Sequence, residues 1–164
     1  MLVLKKQMNK YTRILVLVVT CLAVAYFSSL VTRPSVETWY TTIEKPSFNP
    51  PNWIFAPVWT LLYIFMGIAA GLIWNEIENK PKEVKIALQY FIFQLGLNAL
   101  WSYLFFGLQN LLLASIEVIL LLLVLIECYK LFKPIHPTAA KLFIPYIAWV
   151  SFATLLTLSI FYLN

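Results

Sequence analysis

The sequence predicts an all-α membrane protein, a five-transmembrane-helix bundle with a structured, aromatic- and proline-rich first outer loop. Three observations lead there. Five long apolar stretches fill most of the 164 residues, each close to the ~20 residues of helix that span hydrocarbon. Charged residues make up only 12% of the chain, against ~25% in a soluble domain. The basic residues fall in alternate gaps between the stretches. Lys5, Lys6, Lys10, Arg13, Lys80, Lys82, Lys85, Lys130, Lys133 and Lys141 belong to one side, and only Arg33 and Lys45 to the other. That asymmetry puts the N-terminus in the cytoplasm and Asn164 outside. The net charge of +5 is then a topology signal and a contact for lipid head groups, with no nucleic-acid partner. A soluble bundle would need a polar face on each outer helix. Ile14–Val31 and Leu111–Ile126 have none.

The elements follow in order, within a single transmembrane domain over residues 1–164. Met1–Arg13 is a basic leader along the inner surface, and Ile14–Val31 is the first helix. Its apolar run is long for a signal peptide, so it is read as retained. The second helix is Ile54–Trp74, with Pro57 in its first turn, where a missing N–H costs least. Glu76–Lys85, alternating acid and base around Pro81, reads as a solvated turn. Ile86–Phe106 is the third helix, and Gly107–Asn110 is a tight outer hairpin into the fourth, Leu111–Tyr129. After an inner loop with Pro134 and Pro137, Leu142–Leu163 is the fifth, with Thr138 as a cap and Pro145 one turn in. Gly67 and Gly71 form a small-xxx-small pair suited to a close contact within or between subunits. Cys21 and Cys128 belong to different helices and read as buried apolar residues rather than a disulfide.

The one long connection, Thr32–Trp53, holds Pro34, Pro46, Pro50 and Pro51 among Trp39, Tyr40, Phe48 and Trp53. Four prolines forbid a continuous helix. Ser35–Lys45 suits two helical turns, with Ser35 or Thr38 as cap and Trp39 and Ile43 on one face. Lys45–Trp53 is then extended. Together they make a lid over the outer helix ends.

Inside the membrane, polar residues are expensive and mark candidate sites. Glu117 stands in the outer half of the fourth helix and should face the bundle, as a ligand group or as a packing hydrogen bond. Glu127 lies near the inner interface, within reach of Lys130. On the third helix Gln94, Asn98, Trp101 and Phe105 share one face by their spacing. Asn98 alone would be interhelical glue; with rings around it and a carboxylate on the next helix, it points to a ligand site. Trp59 and Tyr63 lie one turn apart on the second helix, and Trp149, Phe152 and Thr154 reach a similar depth on the fifth. Flat rings converging from several helices suit a flat apolar ligand. The only histidine, His136, lies in an inner loop, the two cysteines are apart, and no phosphate-binding glycine loop occurs. Histidine-centred acid–base work and a metal site therefore have nothing to assemble around.

Four segments then carry a resemblance. They are Trp39-Tyr40-Thr41-Thr42-Ile43-Glu44-Lys45-Pro46-Ser47-Phe48-Asn49-Pro50-Pro51-Asn52-Trp53, Phe55-Ala56-Pro57-Val58-Trp59-Thr60-Leu61-Leu62-Tyr63, Asn98-Ala99-Leu100-Trp101-Ser102 with Phe105-Phe106-Gly107, and Pro145-Tyr146-Ile147-Ala148-Trp149-Val150-Ser151-Phe152-Ala153-Thr154. In this order and spacing the chain resembles bacterial members of the tryptophan-rich sensory protein family, which includes the translocator protein or peripheral-type benzodiazepine receptor. The resemblance implies a five-helix bundle, commonly a homodimer, in a bacterial cell membrane, with a pocket closed by the first outer loop. It implies a receptor or sensor for protoporphyrin-type tetrapyrroles and other flat hydrophobic molecules, with no cofactor required. Transport of hydrophobic anions and a structural or regulatory subunit role are the alternatives. Matched position by position, the implied ligand residues are Trp39, Trp59, Tyr63, Asn98, Trp101, Glu117 and Trp149, with Ala153 at a helix contact. Some bacterial members promote light- and oxygen-dependent porphyrin breakdown, and the implied photochemical residues are Trp59 and Trp149. The chain departs from the family pattern at Glu117, where Asp is common, at Ser28-Ser29, at Thr157 in place of an amide, and at Tyr162, which no Lys or Arg follows.

Overall fold

Five long helices and one short one, with no strand among the described residues, make up the computed structural model, which describes residues 8–164. Helix α1, Lys10–Glu37, starts at an asparagine cap: Asn9 Oδ1 accepts the Tyr11 N–H at 2.9 Å. The expected inner-surface leader therefore belongs to the helix from Lys10 on, and its first part, Met1–Gln7, lies outside the described residues. At the other end α1 runs on through Pro34. Proline removes one ladder bond but holds a helical φ, and Thr38 Oγ1 donates back to the Pro34 carbonyl at 2.8 Å. Ser35 is consequently buried inside α1 and caps nothing. The expected two-turn lid helix shrinks to α2, Trp39–Thr42, and Thr38 precedes it without a side-chain cap. Trp39 and Ile43 do share a packed face, against the cluster of Tyr40, Phe105, Leu156 and Ile160.

A short tight turn, Asn52–Ile54, leads into α3, Phe55–Asn75. Helix α4, Pro81–Ser102, begins five residues before the expected Ile86. The reason is Pro81, which opens the helix at a position where no N–H is needed instead of breaking a turn. The chain then widens into a π-helical turn, Tyr103–Gly107, with Leu108 N–H donating five residues back to Tyr103 at 2.8 Å. Gln109 takes a left-handed φ of 53° to complete the hairpin between α4 and α5. Asn110 caps α5, Leu111–Phe132, by accepting the Leu113 N–H at 3.0 Å. Helix α6, Pro137–Leu163, is capped by His136 and not by Thr138: Nδ1 accepts the Ala139 N–H at 3.3 Å. Starting at Pro137 puts Pro145 two turns into the helix rather than one.

Four helical segments, Lys10–Glu37, Asn52–Asn75, Leu111–Phe132 and Pro137–Leu163, are long and apolar enough to cross a membrane. Integral membrane character follows from them. Helix α4 is of similar length but is diluted by Gln89, Gln94 and Asn98. Around the bundle α1 packs on α3, α3 on α6, α6 on α5 and α5 on α4, with α4 closing back on α3 and α1.

The α1–α3 seam depends on the two glycines. A Cβ on Gly67 would lie 2.4 Å from Val18 Cα, and one on Gly71 2.6 Å from Ile14 Cα. No side chain fits there, so this small-residue pair is a contact within the chain. Twelve basic residues include Lys5 and Lys6, which lie outside the described residues. Of the rest, all but Arg33 and Lys45 gather at the bundle end where α1 begins and α3 ends. Arg13 there donates to the Trp74 carbonyl at 3.3 Å and meets Glu78 at 3.6 Å. Lys80 donates to the Pro134 carbonyl at 2.6 Å. Glu76–Lys85 is thus a cross-link between helix ends, not merely a solvated turn. Glu127 and Lys130 pair in the open at 2.6 Å. Cys21 and Cys128 are free, buried thiols.

Candidate functional site

An amide buried among helices must find partners from other helices, and Asn98 finds two. Tyr63 on α3 donates its hydroxyl to Asn98 Oδ1. Asn98 Nδ2 donates to the Tyr146 hydroxyl oxygen on α6 at 2.7 Å. Tyr146 in turn donates to Gln94 Oε1 at 3.0 Å, and Gln94 Nε2 approaches Met66 Sδ at 3.8 Å. All five residues are buried. The chain of bonds ties α3, α4 and α6 together at mid-depth.

Toward the end opposite the basic residues the same helices present rings. Trp59 lies 6.0 Å from Tyr63 and 6.2 Å from Tyr146 between ring centroids. Trp101 stacks on Phe105 at 5.1 Å with an angle of 22° between planes. Trp59, Asn98 and Trp101, with Val118, Leu121, Val150 and Ala153, surround a cavity of about 10 Å³. That is room for about one water molecule. A bound small molecule of drug size needs ~300–1,000 Å³, so a macrocycle enters only if the helices or the lid move. A wider hollow of about 450 Å³, lined by Pro46, Leu155, Leu158, Ser159, Tyr162 and Leu163, opens sideways on the outer surface of α6. Four of its six lining residues are aliphatic.

The lid closes on the aromatic layer. Trp39 meets Phe105 edge-on at 5.5 Å, and Tyr40 packs on Phe106 at 5.8 Å. Phe48 reaches Phe152 at 6.3 Å, Phe152 reaches Trp149 at 5.6 Å, and Trp149 reaches Phe55 at 6.0 Å. Polar clasps hold this segment down. Tyr40 donates to Asn49 Oδ1 at 2.7 Å, and Lys45 Nζ donates to the Tyr40 and Ile43 carbonyls at 2.6 and 2.8 Å. The Asn164 side chain pairs with the main chain of Glu44 in both directions, each bond 3.0 Å long. Burial pushes the Tyr40 phenol up to about 12, with Asn49 offsetting part of that. The phenol therefore stays a neutral donor at physiological pH.

Of the residues expected from sequence, Trp59, Asn98, Trp101 and Ala153 border one cavity. Tyr63 stands behind Asn98 as its hydrogen-bond donor. Trp39 packs on Phe105, which stacks on the cavity-lining Trp101, whereas Trp149 packs on Phe55 and Phe152 and does not border the cavity. Glu117 faces the bundle at 5% exposure, but neither carboxylate oxygen has a protein partner among the described residues. The indole N–H groups of Trp101 and Trp149 and the Ser115 hydroxyl are equally unpartnered. Unused donors and acceptors in an apolar bundle are the means by which a ligand's polar groups could be held. Among the described residues no group of His, Cys, Asp and Glu forms a metal-binding cluster.

Three parts of this arrangement escaped the sequence reading. Tyr146 is at the center of the polar chain, and its position three residues before Trp149, on the same helix face, was the available signal. The Asn164–Glu44 clasp joins positions 120 residues apart, and nothing local announces it. Phe106, beneath Tyr40, lies in the π-helical turn, which shifts its side chain from the regular α-helical register.

Residues 17–163 match the model of the TspO/MBR family. The chain is 41% identical to the tryptophan-rich protein TspO of Archaeoglobus fulgidus over 90% of its own length and 94% of that protein's. It is 39% identical to the tryptophan-rich protein TspO of Chlorobaculum tepidum over 96% of its length and 99% of that protein's. The human translocator protein is 34% identical, over 72% of this chain and 70% of its own. With a family model covering nearly all of the described helices and relatives matched end to end, the chain belongs to the TspO/MBR family.

Proposed function

We propose that this protein is a membrane receptor for protoporphyrin-like tetrapyrroles and other flat hydrophobic molecules. The observation that carries the reading is the pair of indoles, Trp59 and Trp101, set around the amide of Asn98 below an aromatic lid. Flat rings stack on flat rings, and a single fixed amide gives such a ligand its orientation. Trp39, Tyr63, Glu117 and Trp149 join Ala153 to complete the site on this reading, once the lid, which narrows to Thr38–Pro51 between α1 and the Asn52–Ile54 turn, lifts and α3 and α6 part. All five long helices cross the bilayer, α4 with its amides turned inward. The basic end faces the cytoplasm, so the N-terminus is inside and Asn164 outside. Lipid surrounds the bundle, a second copy of the chain pairs with it, and a bacterial cell membrane is its setting.

Titration of the purified protein with protoporphyrin tests this. Tryptophan fluorescence is quenched saturably, and W59A and W101A each weaken binding by about tenfold, as loss of ~1.4 kcal/mol of stacking requires. Quenching that never saturates, or is equal in all variants, refutes the reading. The same samples test light-dependent porphyrin breakdown with Trp59 and Trp149 as the participating indoles. Loss of porphyrin absorbance in light and oxygen is faster with wild type than with W59F or W149F. Equal rates with and without protein restrict the protein to binding.

A further inference from the structure

We infer that Met66 and Tyr146 are positioning residues that fix which way round Asn98 presents its amide to the cavity, and thereby set which ligand groups the site accepts. The inference rests on reading that cavity as a ligand site. A thioether accepts hydrogen bonds and donates none. Met66 and Gln94 are both fully buried, and the Gln94 amide ends 3.8 Å from Met66 Sδ. Were the carbonyl end of Gln94 turned to the sulfur, two acceptors would face each other with no proton between them. The nitrogen end therefore faces Met66, and Oε1 faces Tyr146 at 3.0 Å.

The consequence propagates. Tyr146 has a single hydroxyl proton, and Gln94 Oε1 takes it. What remains toward Asn98, 2.7 Å away, is a lone pair, which only the Nδ2 end of that amide can satisfy. Asn98 Oδ1 is then turned to Tyr63, which donates to it. An acceptor-only sulfur at one end thus orders every donor along five residues. At the cavity Asn98 keeps one N–H and one carbonyl lone pair. The nitrogen edge lies toward α6 and the oxygen edge toward α3. A ligand is recognised with its hydrogen-bond acceptor on the α6 side and its donor on the α3 side. The reverse placement leaves like groups opposed.

The variants are Y146F, which keeps the ring and deletes the hydroxyl, and M66L, which keeps the volume and deletes the acceptor. Ultraviolet resonance Raman spectroscopy reports whether a tyrosine hydroxyl donates or accepts. The difference between wild type and Y63F isolates Tyr63, and the same subtraction is made in each variant background. Tyr63 donates to Asn98 in wild type, with the Ser28 hydroxyl as the other group beside its phenol, and loses donor character in Y146F and M66L. The dissociation constant for protoporphyrin rises about fivefold to tenfold in Y146F, as loss of one buried hydrogen bond implies, and less in M66L. A Tyr63 signal unchanged in both variants, or unchanged affinity in both, overturns the inference. If Y146F does not fold, M66L alone decides by the same two readouts. Failure of wild type itself to bind protoporphyrin would overturn the ligand-site reading and the recognition half of the inference, while the Raman signal would still decide the orientation of Asn98.

Discussion

The two halves of α3 meet their neighbors in opposite ways. Its half nearer the basic end, called inner, offers Gly67 and Gly71 to α1, and the helices approach until backbone touches backbone. Its outer half offers Trp59 and Tyr63 to α4 and α6, which stand apart with rings, hydroxyls and an amide between them. Inside a bilayer there is no hydrophobic force between helices, since lipid tails are as apolar as leucine. The inner half holds by dispersion at close range. The outer half holds by hydrogen bonds that have no alternative partner in hydrocarbon. The first arrangement leaves no space, and the second leaves a cavity with polar atoms around it. One helix therefore serves as both anchor and cavity wall.

Breaking the inner half has the largest expected effect. G67V must push α1 away from α3, because its first added carbon falls 2.4 Å from a main-chain atom of Val18. Such overpacking costs ~3 kcal/mol or more, and thermal unfolding in detergent or loss of folded yield measures it. A G67V protein as stable as wild type would mean that α1 is free to shift, and that the seam is no anchor.

Next comes the outer half. N98A takes the acceptor from the buried Tyr63 hydroxyl and one donor from the Tyr146 oxygen, while Tyr146 keeps its bond to Gln94 Oε1. A buried donor left without its acceptor costs ~1–3 kcal/mol, so N98A is destabilised by ~1–3 kcal/mol and also binds protoporphyrin more weakly. If N98A loses affinity without losing stability, the amide serves the ligand alone and the comparison with the glycine seam fails.

The lid clasp is worth less. N164A removes two exposed hydrogen bonds to Glu44, costing ~1 kcal/mol or less, and speeds entry of protoporphyrin severalfold in stopped-flow fluorescence quenching. An unchanged association rate would show that the clasp does not hold the way in. The smallest effect belongs to G96A. Nothing lies within 4 Å of the Cβ position of this exposed glycine, so alanine there changes stability by no more than ~1 kcal/mol, in the stabilising direction. A large loss in G96A would reveal a close neighbor absent from the single chain, such as a second copy, and a competition assay between tagged and untagged protein would locate it.

Much of this was legible beforehand. The apolar runs and the segregation of Lys and Arg predict long helices and their common end, because hydrocarbon imposes both a length and a hydrogen-bonding rule on every crossing segment. The face shared by Gln94, Asn98 and Phe105 was readable from spacing alone, since helical geometry puts i, i+3 and i+4 together. Helix ends were less legible. Pro34, Pro81 and Pro137 each look like breaks in a sequence, yet one is accommodated inside α1 and two open helices. Proline forbids only a particular N–H bond, and whether that bond is needed depends on the turn it falls in.

By itself, then, the sequence determined the helices, the membrane, the family and the inventory of aromatic and polar residues available to a site. The helices, the membrane and the inventory follow from composition and local periodicity, which act over a few residues at a time, and the family follows from the resemblance of four motifs in their order. Only the tertiary structure decided that Gly67 and Gly71 face α1, that Tyr146 completes the bonds of Asn98, that Glu117 stands without a partner among the described residues, and that Asn164 closes on Glu44. These are choices among partners far apart in the chain. They are made by which helices pack side by side, and by the requirement that each buried donor find the nearest acceptor that packing leaves within reach.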